Sequence, residues 1–376
     1  MGGLPLHPAA PVDPAAPVST LELFLDLVFV FTVTQITTLA THPHGPADYL
    51  HAVLILLLVW WMYSGYIWLT SNIGTDSAAH RLLMFGGMGG FLLMALSIPH
   101  AFAGTGTAFA LGYLAVTLIH AGLFKRAPNS SAQAIRSMFG FNLAAALLLL
   151  LAALAPTWTL ALWLLAVGVL LLSGVLQREN NFQLRPAHFA ERHGLILIIA
   201  LGESVVAIGV GAASAVVSWR LALGALLGLA LSAALWWSYF NGDSEHAAEL
   251  MAHASVQRRP QLALRGFGYG HVLMIAGIIG IAAGIKLVVG HLGGPADALS
   301  AWSLAGGLSV YLLGDVLFRW VVGIGRVAGR LALAGLCLFT APLGQLSGGL
   351  VQLAALVALL AALLTLEGRR PDAGLV

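Results

Sequence analysis

The chain is a succession of long apolar segments separated by short stretches rich in Pro, Gly, Asn and charge. The segments cover residues 20–40, 49–71, 82–101, 107–124, 137–155, 157–176, 189–212, 220–240, 266–290, 298–318, 328–345 and 350–366. Each is close to the ~20 residues a helix needs to cross the hydrocarbon core of a bilayer. The pattern therefore predicts an all-α fold, a polytopic membrane bundle of about twelve transmembrane helices. Two divisions rest on short breaks, Ala155-Pro156-Thr157 and Gln345-Leu346-Ser347-Gly348-Gly349, and each of these also fits a re-entrant pair.

Composition agrees with the pattern. Of 376 residues, 59% are hydrophobic and 9% charged, against roughly 25% charged in soluble domains, which excludes a soluble globular protein and makes the lipid bilayer the first partner. The formal net charge of +2 is too small and too scattered to give nucleic acid a basic stripe. A single cysteine, Cys337, excludes an intramolecular disulfide and a multi-thiolate metal cage. Residues 1–18 hold five prolines and no Lys or Arg, so they lack the basic start and apolar core of a signal peptide. They are expected to be a short disordered tail, with a second tail at 368–376.

Basic residues orient the bundle, because cytoplasmic loops retain Lys and Arg. Of the 17 basic residues, 15 follow even-numbered segments and only Arg220 and Lys286 follow odd-numbered ones. This asymmetry predicts that both termini are cytoplasmic.

Landmarks recur in order along the two halves. Leu21-Glu22-Leu23-Phe24 in the first segment is matched by Phe189-Ala190-Glu191-Arg192 in the seventh, and Trp60-Trp61-Met62-Tyr63 by Trp236-Trp237-Ser238-Tyr239. Arg81 and Arg265 open the third and ninth segments, and Leu123-Phe124-Lys125 is matched by Leu317-Phe318-Arg319. The order predicts a six-plus-six parallel internal repeat, residues 19–178 and 179–367. Segments five and six show no match in eleven and twelve.

An ionisable side chain within a span costs at least about 2.5–3.5 kcal/mol on insertion scales, so each needs a partner or a purpose. The candidates for proton or substrate coupling are Glu22, Asp26, His120, Glu191, Glu203, His271 and Asp315. Glu22 and Asp26 are four apart and share a helix face. Ser19-Thr20-Leu21-Glu22 also fits a capping box, so Glu22 has a local role open to it; Asp26, a turn deeper, does not. Expected ion-pair partners are Arg81, Arg265 and Arg192, with the helix-start acids pairing to Arg81 and Arg265 in two equivalent networks, as a static clamp or as part of a transport path. Glu203 lies 14 residues beyond Phe189, ~21 Å along its helix, among Gly202, Gly209 and Gly211. A carboxylate at that depth is a candidate proton carrier.

Weaker signals have plainer readings. His246, Glu249 and His253 share one helical face but suit a solvated amphipathic loop better than a zinc site, and His42, His44, Asp48 and His51 are discounted in the same way. The tryptophans suit an interfacial belt. Gly86-x-x-x-Gly90 and Gly280-x-x-x-Gly284 suit close helix crossing. There is no HExxH, GxSxG, P-loop or DDxxD signature. No metal or cofactor is implied, although haem ligation by His120 and His271 is not excluded by sequence.

The run Leu21-Glu22-Leu23-Phe24-Leu25-Asp26-Leu27-Val28-Phe29-Val30-Phe31 with Thr34-Gln35, taken with Glu191-Arg192-His193-Gly194-Leu195 and Ala200-Leu201-Gly202-Glu203-Ser204, resembles the bacterial low temperature requirement A proteins over nearly the whole chain. Position 25 is leucine where that family often has phenylalanine, which changes no chemistry. The resemblance implies a multi-pass inner-membrane protein named for a growth phenotype in the cold. It adds weight to Glu22, Asp26, Glu191, Arg192 and Glu203 without assigning a substrate. Three functions fit: a secondary transporter, proton-coupled, of a small molecule or ion; a membrane-embedded enzyme acting on a lipid or isoprenoid; or a non-catalytic scaffold. Homo-oligomerisation is left open.

Overall fold

The computed structural model describes residues 18–43, 45–72, 77–124, 129–176, 184–213 and 215–368, with side chains for all but 129–137. The expected tails at 1–18 and 368–376 fall almost wholly outside these residues. Twelve long helices follow in order: α1 (Thr20–Thr41), α2 (Ala47–Thr70), α3 (Ala78–Ser97), α4 (Gly106–Phe124), α5 (Asn129–Leu154), α6 (Thr159–Leu176), α7 (Pro186–Ala212), α8 (Trp219–Phe240), α9 (Arg259–Gly290), α10 (Ala298–Val322), α11 (Ala328–Ser347) and α12 (Gly349–Gly368). Eleven are long and apolar enough to cross a membrane, and α5 carries its apolar stretch at Met138–Leu154. A short polar helix, Asp243–His253, joins α8 to α9.

The two short breaks are tight turns between helices. A single 3-10 turn, Pro156–Trp158, separates α5 from α6. Gly348, at φ +100°, separates α11 from α12; only glycine takes that conformation without strain. α11 itself is interrupted at Phe339, because Pro342 has no N–H for the Leu338 carbonyl and its ring crowds that oxygen. α9 has a different irregularity. Its residues Ala263–Gly270 wind as a π-helix before regular geometry resumes at His271, a wide form that is rare and concentrates at functional sites.

The chain divides into two compact units. One comprises the described parts of Met1–Ile36, Pro46–Arg192 and Met251–Leu264; the other comprises those of Thr37–Gly45, His193–Leu250 and Arg265–Val376. In the first, α3 and α4 form an antiparallel hairpin packed through glycine: a Cβ on Gly112 would lie 2.8 Å from the Gly90 carbonyl oxygen. In the second, α9 and α10 do the same, with a Cβ on Gly307 falling 2.6 Å from the Ile281 nitrogen. Among apolar helices in lipid, close backbone approach of this kind replaces the hydrophobic driving force as the source of packing energy.

Gly307→Ala should therefore lower the thermal midpoint of the detergent-solubilised protein by the equivalent of about 1–3 kcal/mol. Gly306→Ala, next to it but with open space around the added carbon, should not. Equal melting of the two variants would remove close packing at Gly307 as a source of stability.

Candidate functional site

The first unit buries a charged ladder. Glu22 and Asp26 stand four apart on α1, and His188 and Arg192 stand four apart on α7, so each helix presents its pair on one face. The pairs meet rung by rung. Glu22 Oε1 lies 3.2 Å from His188 Nε2 and 3.9 Å from Arg192 Nε. Arg192 Nη1 donates to Asp26 Oδ2 at 2.6 Å, and the Tyr63 hydroxyl of α2 donates to Asp26 Oδ1 at 2.6 Å. Asp26, Arg192 and Tyr63 are wholly buried, so the carboxylate and guanidinium depend on each other for charge compensation.

Local structure sets up this geometry. Ser19 and Glu22 form the capping box that opens α1: the Ser19 N–H donates to Glu22 Oε2 at 2.8 Å, and the Glu22 N–H donates to Ser19 Oγ at 3.3 Å. Glu22 thus holds its own helix start with one oxygen while the other faces α7. At the end of α2, Arg185 donates to the Ser71 and Thr70 carbonyls at 3.0 and 3.1 Å, filling acceptors that a helix C-terminus leaves open. Ser71 Oγ lies 3.2 Å from His188 Nδ1.

The second unit buries another network, centred on Arg330 in the first turn of α11. Its Nη1 donates to Asp315 Oδ2 of α10 at 2.5 Å and to the Ser238 carbonyl of α8 at 3.1 Å, and its Nη2 donates to Glu367 Oε2 of α12 at 2.9 Å. Asp243, at the start of the short helix, accepts from Arg319 at 2.6 Å and lies 3.6 Å from Arg330. One guanidinium thereby ties together the ends of four membrane helices. Beside it, Tyr239 Oη is 2.9 Å from His271 Nε2. The His193 ring sits 5.1 Å from that of His271, and Phe267 of the π-helical turn stacks on His271.

The same unit places a third charged group far from that network. Glu203 is 5% exposed and lies 17 residues into α7, ~26 Å along it. Its charge acts electrostatically on Lys286 of α9. Eight residues further along α7, the glycine at 211 lets the helix approach α9, since a Cβ there would lie 2.6 Å from the Lys286 carbonyl oxygen. Lys286 Nζ donates to Thr41 Oγ1, at the end of α1, at 3.2 Å. The antiparallel hairpin of α9 and α10 puts Gly270 and Met274 beside Gly314 and Gly284 beside Leu304, so His271 and Lys286 lie toward opposite ends of α9.

Asp26 takes Arg192 where Arg81 was expected. Arg81 and Arg265 are both exposed, and of the neighbours Glu191 and Arg192 the arginine turns inward and the glutamate outward. His120 packs in the first unit, its Nε2 3.0 Å from the Gly65 carbonyl oxygen. His271 and Asp315 belong to the second unit, and the Nε2 atoms of both histidines already have internal partners. His246 and Glu249 make a loose pair at 3.8 Å; among the described residues, no three metal-ligating side chains cluster. Trp60 is core, Trp61 donates to Asn142 at 3.0 Å, and Trp236 and Trp237 are exposed.

Sequence reasoning missed His188, Tyr63, Asp243, Arg330, Glu367 and Lys286. The i, i+4 spacing of His188 and Arg192, matching that of Glu22 and Asp26, was a usable signal. Lys286 was legible as one of two exceptions to the charge asymmetry. Arg319 and Arg330 passed for ordinary positive-inside loop residues.

The model of the bacterial low temperature requirement A protein (LtrA) family matches residues 17–366. The chain belongs to the LtrA family. It is 29% identical over 290 residues to a curated relative described as the uncharacterized protein RA0937 of Rhizobium meliloti (strain 1021), covering 72% of this chain and 69% of the relative. No solved structure matches it.

Because removing one partner strands a buried charge, Arg192→Gln should cost roughly 3–5 kcal/mol of stability in detergent. Adding Asp26→Asn should restore part of that loss. A double variant whose losses simply add would show that the two side chains are not energetically coupled.

Proposed function

We propose that this LtrA-family protein is a secondary transporter of the cytoplasmic (inner) membrane, proton-coupled, with Glu203 as its coupling group and the two buried networks as gates at the cytoplasmic ends of the helices. The observation that carries the reading is the depth of Glu203, which is 5% exposed and lies 17 residues into the membrane-length helix α7. An acid is held there within a span, away from any capping duty, and intramembrane acids of this kind mark ion and substrate pathways. The basic residues that follow even-numbered helices support cytoplasmic termini. A six-plus-six parallel repeat belongs to the same reading. It is supported by the glycine-packed hairpins α3–α4 and α9–α10, which occupy equivalent places in the order, and by one arginine-centred network in each compact unit. Rocking of such halves about a shared axis is a recurrent route to alternating access.

A scaffold without transport is the second reading, favoured by one observation. Asp26 and Asp315 are each bound to a buried arginine, and buried ion pairs frequently fix geometry. The two readings separate in reconstituted liposomes carrying an internal pH dye. A panel of amino acids, carboxylates, sugars and organic cations is applied across an imposed pH gradient. At least one solute should move protons in wild type and not in Glu203→Gln. No response from any member of the panel, or an equal response in Glu203→Gln, would leave the scaffold.

A further inference from the structure

The network of the second unit holds more negative charge than positive. Among the described residues, Asp243, Asp315 and Glu367 meet Arg319 and Arg330, so three carboxyl groups share two guanidiniums. Two of the acids face one nitrogen: Arg330 Nη1 is 2.5 Å from Asp315 Oδ2 and 3.6 Å from Asp243 Oδ2. The other donors of Arg330 go to Glu367, which leaves Asp243 with one close bond, from Arg319 at 2.6 Å. Asp315 Oδ1 is buried and accepts no hydrogen bond from the described residues. Gly242, at φ +106°, turns the chain out of α8 and carries Asp243 back to the last turn of α10.

Like charges crowded onto one partner do not all stay ionised where little water reaches them; one carboxyl keeps a proton. The Asp315 side chain is wholly buried and the nearer to Arg330, so it keeps its charge. The Asp243 side chain is 14% exposed and the farther, so solvent can deliver a proton to it. Asp243 opens the short polar helix between α8 and α9. Burial, together with the charges of Asp315 and Glu367, pushes its carboxyl up to about 6 against the pull of Arg319 and Arg330. The charged and titratable groups around it are Tyr239 of α8, Asp315 and Arg319 of α10, Arg330 of α11 and Glu367 of α12, with His271 of α9 behind Tyr239 and Glu245 and His246 on its own helix.

We propose that Asp243 and Asp315 form a proton-binding dyad, in which one proton carried by Asp243 brings the network to charge balance and holds the start of the short helix against α10 and α11. This adds regulation to the network read above as a gate, and its meaning for transport rests on that reading. With the proton in place there are two carboxylates, two guanidiniums and one neutral acid, whose carbonyl oxygen still accepts from Arg319. Without it, the surplus negative charge loosens the contact. The sign follows from linkage, because a carboxyl raised above its ordinary value binds its proton more tightly docked than free. Docking is therefore strongest below the ordinary carboxyl range and weakens as pH rises through about 6.

Infrared spectroscopy of the full-length protein in lipid reads the proton itself. At pH 5, wild type should show a protonated-carboxyl carbonyl band that Asp243→Asn lacks, and this difference should fade as pH passes about 6. Hydrogen exchange of the peptide 241–250, corrected for the chemical rate, reads the docking. Wild type should be several-fold better protected at pH 5 than at pH 7.5. Asp243→Asn, a permanent stand-in for the neutral acid, should be protected at both, an effect that mere loss of an ion pair would not produce. Glu367→Gln, which removes a neighbouring negative charge, should move both transitions to lower pH. A missing band difference at pH 5, or a wild-type pH dependence of exchange in Asp243→Asn, overturns the dyad. Should Asp243→Asn fail to fold, transitions left unmoved by Glu367→Gln overturn it instead. No transported solute is involved, so a silent transport panel would sink the transporter and leave the dyad, while failure of the dyad would leave the reading of Glu203 intact.

Discussion

Hydrocarbon gives a charge no solvent, and the position of nearly every polar group discussed above follows from that. A carboxylate or guanidinium moved out of water loses hydration worth several kcal/mol after relaxation, and only an opposite charge at close range with well-aimed hydrogen bonds recovers it. Asp26 obtains both from Arg192 and Tyr63. Asp315 obtains them from Arg330. Because each partner sits on a different helix, satisfying the charge also fixes which helices lie side by side, so compensation and architecture are a single requirement.

The remaining packing is done by very small residues. Where α9 meets α10, the glycines at 277, 280 and 307 remove the side chains that would hold the backbones apart. Dispersion across that contact takes over the role that hydrophobic burial has in water. The glycine hairpins and the arginine networks divide the work. Glycine sets how closely neighbours approach, and the ion pairs set which neighbours they are. The π-helical opening of α9 belongs to the second task, since it brings Phe267 onto His271 next to Tyr239.

Glu203 differs from Asp26 in its place, 17 residues into α7 rather than in the second turn of its helix. A 2.5 or 2.6 Å guanidinium clamp resists the reversible ion exchange that a coupling group needs. Glu203, deep in α7, is therefore better suited to coupling than the acids nearest the motif at the chain's start.

The linear pattern by itself determined the solvent and the class. Segment length and the near absence of charge make a polytopic helical bundle unavoidable, since in lipid every backbone group must be satisfied within its own helix. It also determined that Glu22, Asp26, Glu203 and Asp315 are buried acids in need of explanation, because a charge at membrane depth is legible from position alone. It could not supply the partners. Arg192 against Asp26, Arg330 against three acids and Lys286 against Thr41 are separated by up to 245 positions, and periodicity says which face a residue occupies but not which helix that face meets. Only the tertiary structure decides that choice, because it is made by the fit of whole helix surfaces and by the mutual compensation of charges, neither of which is a property of any one segment.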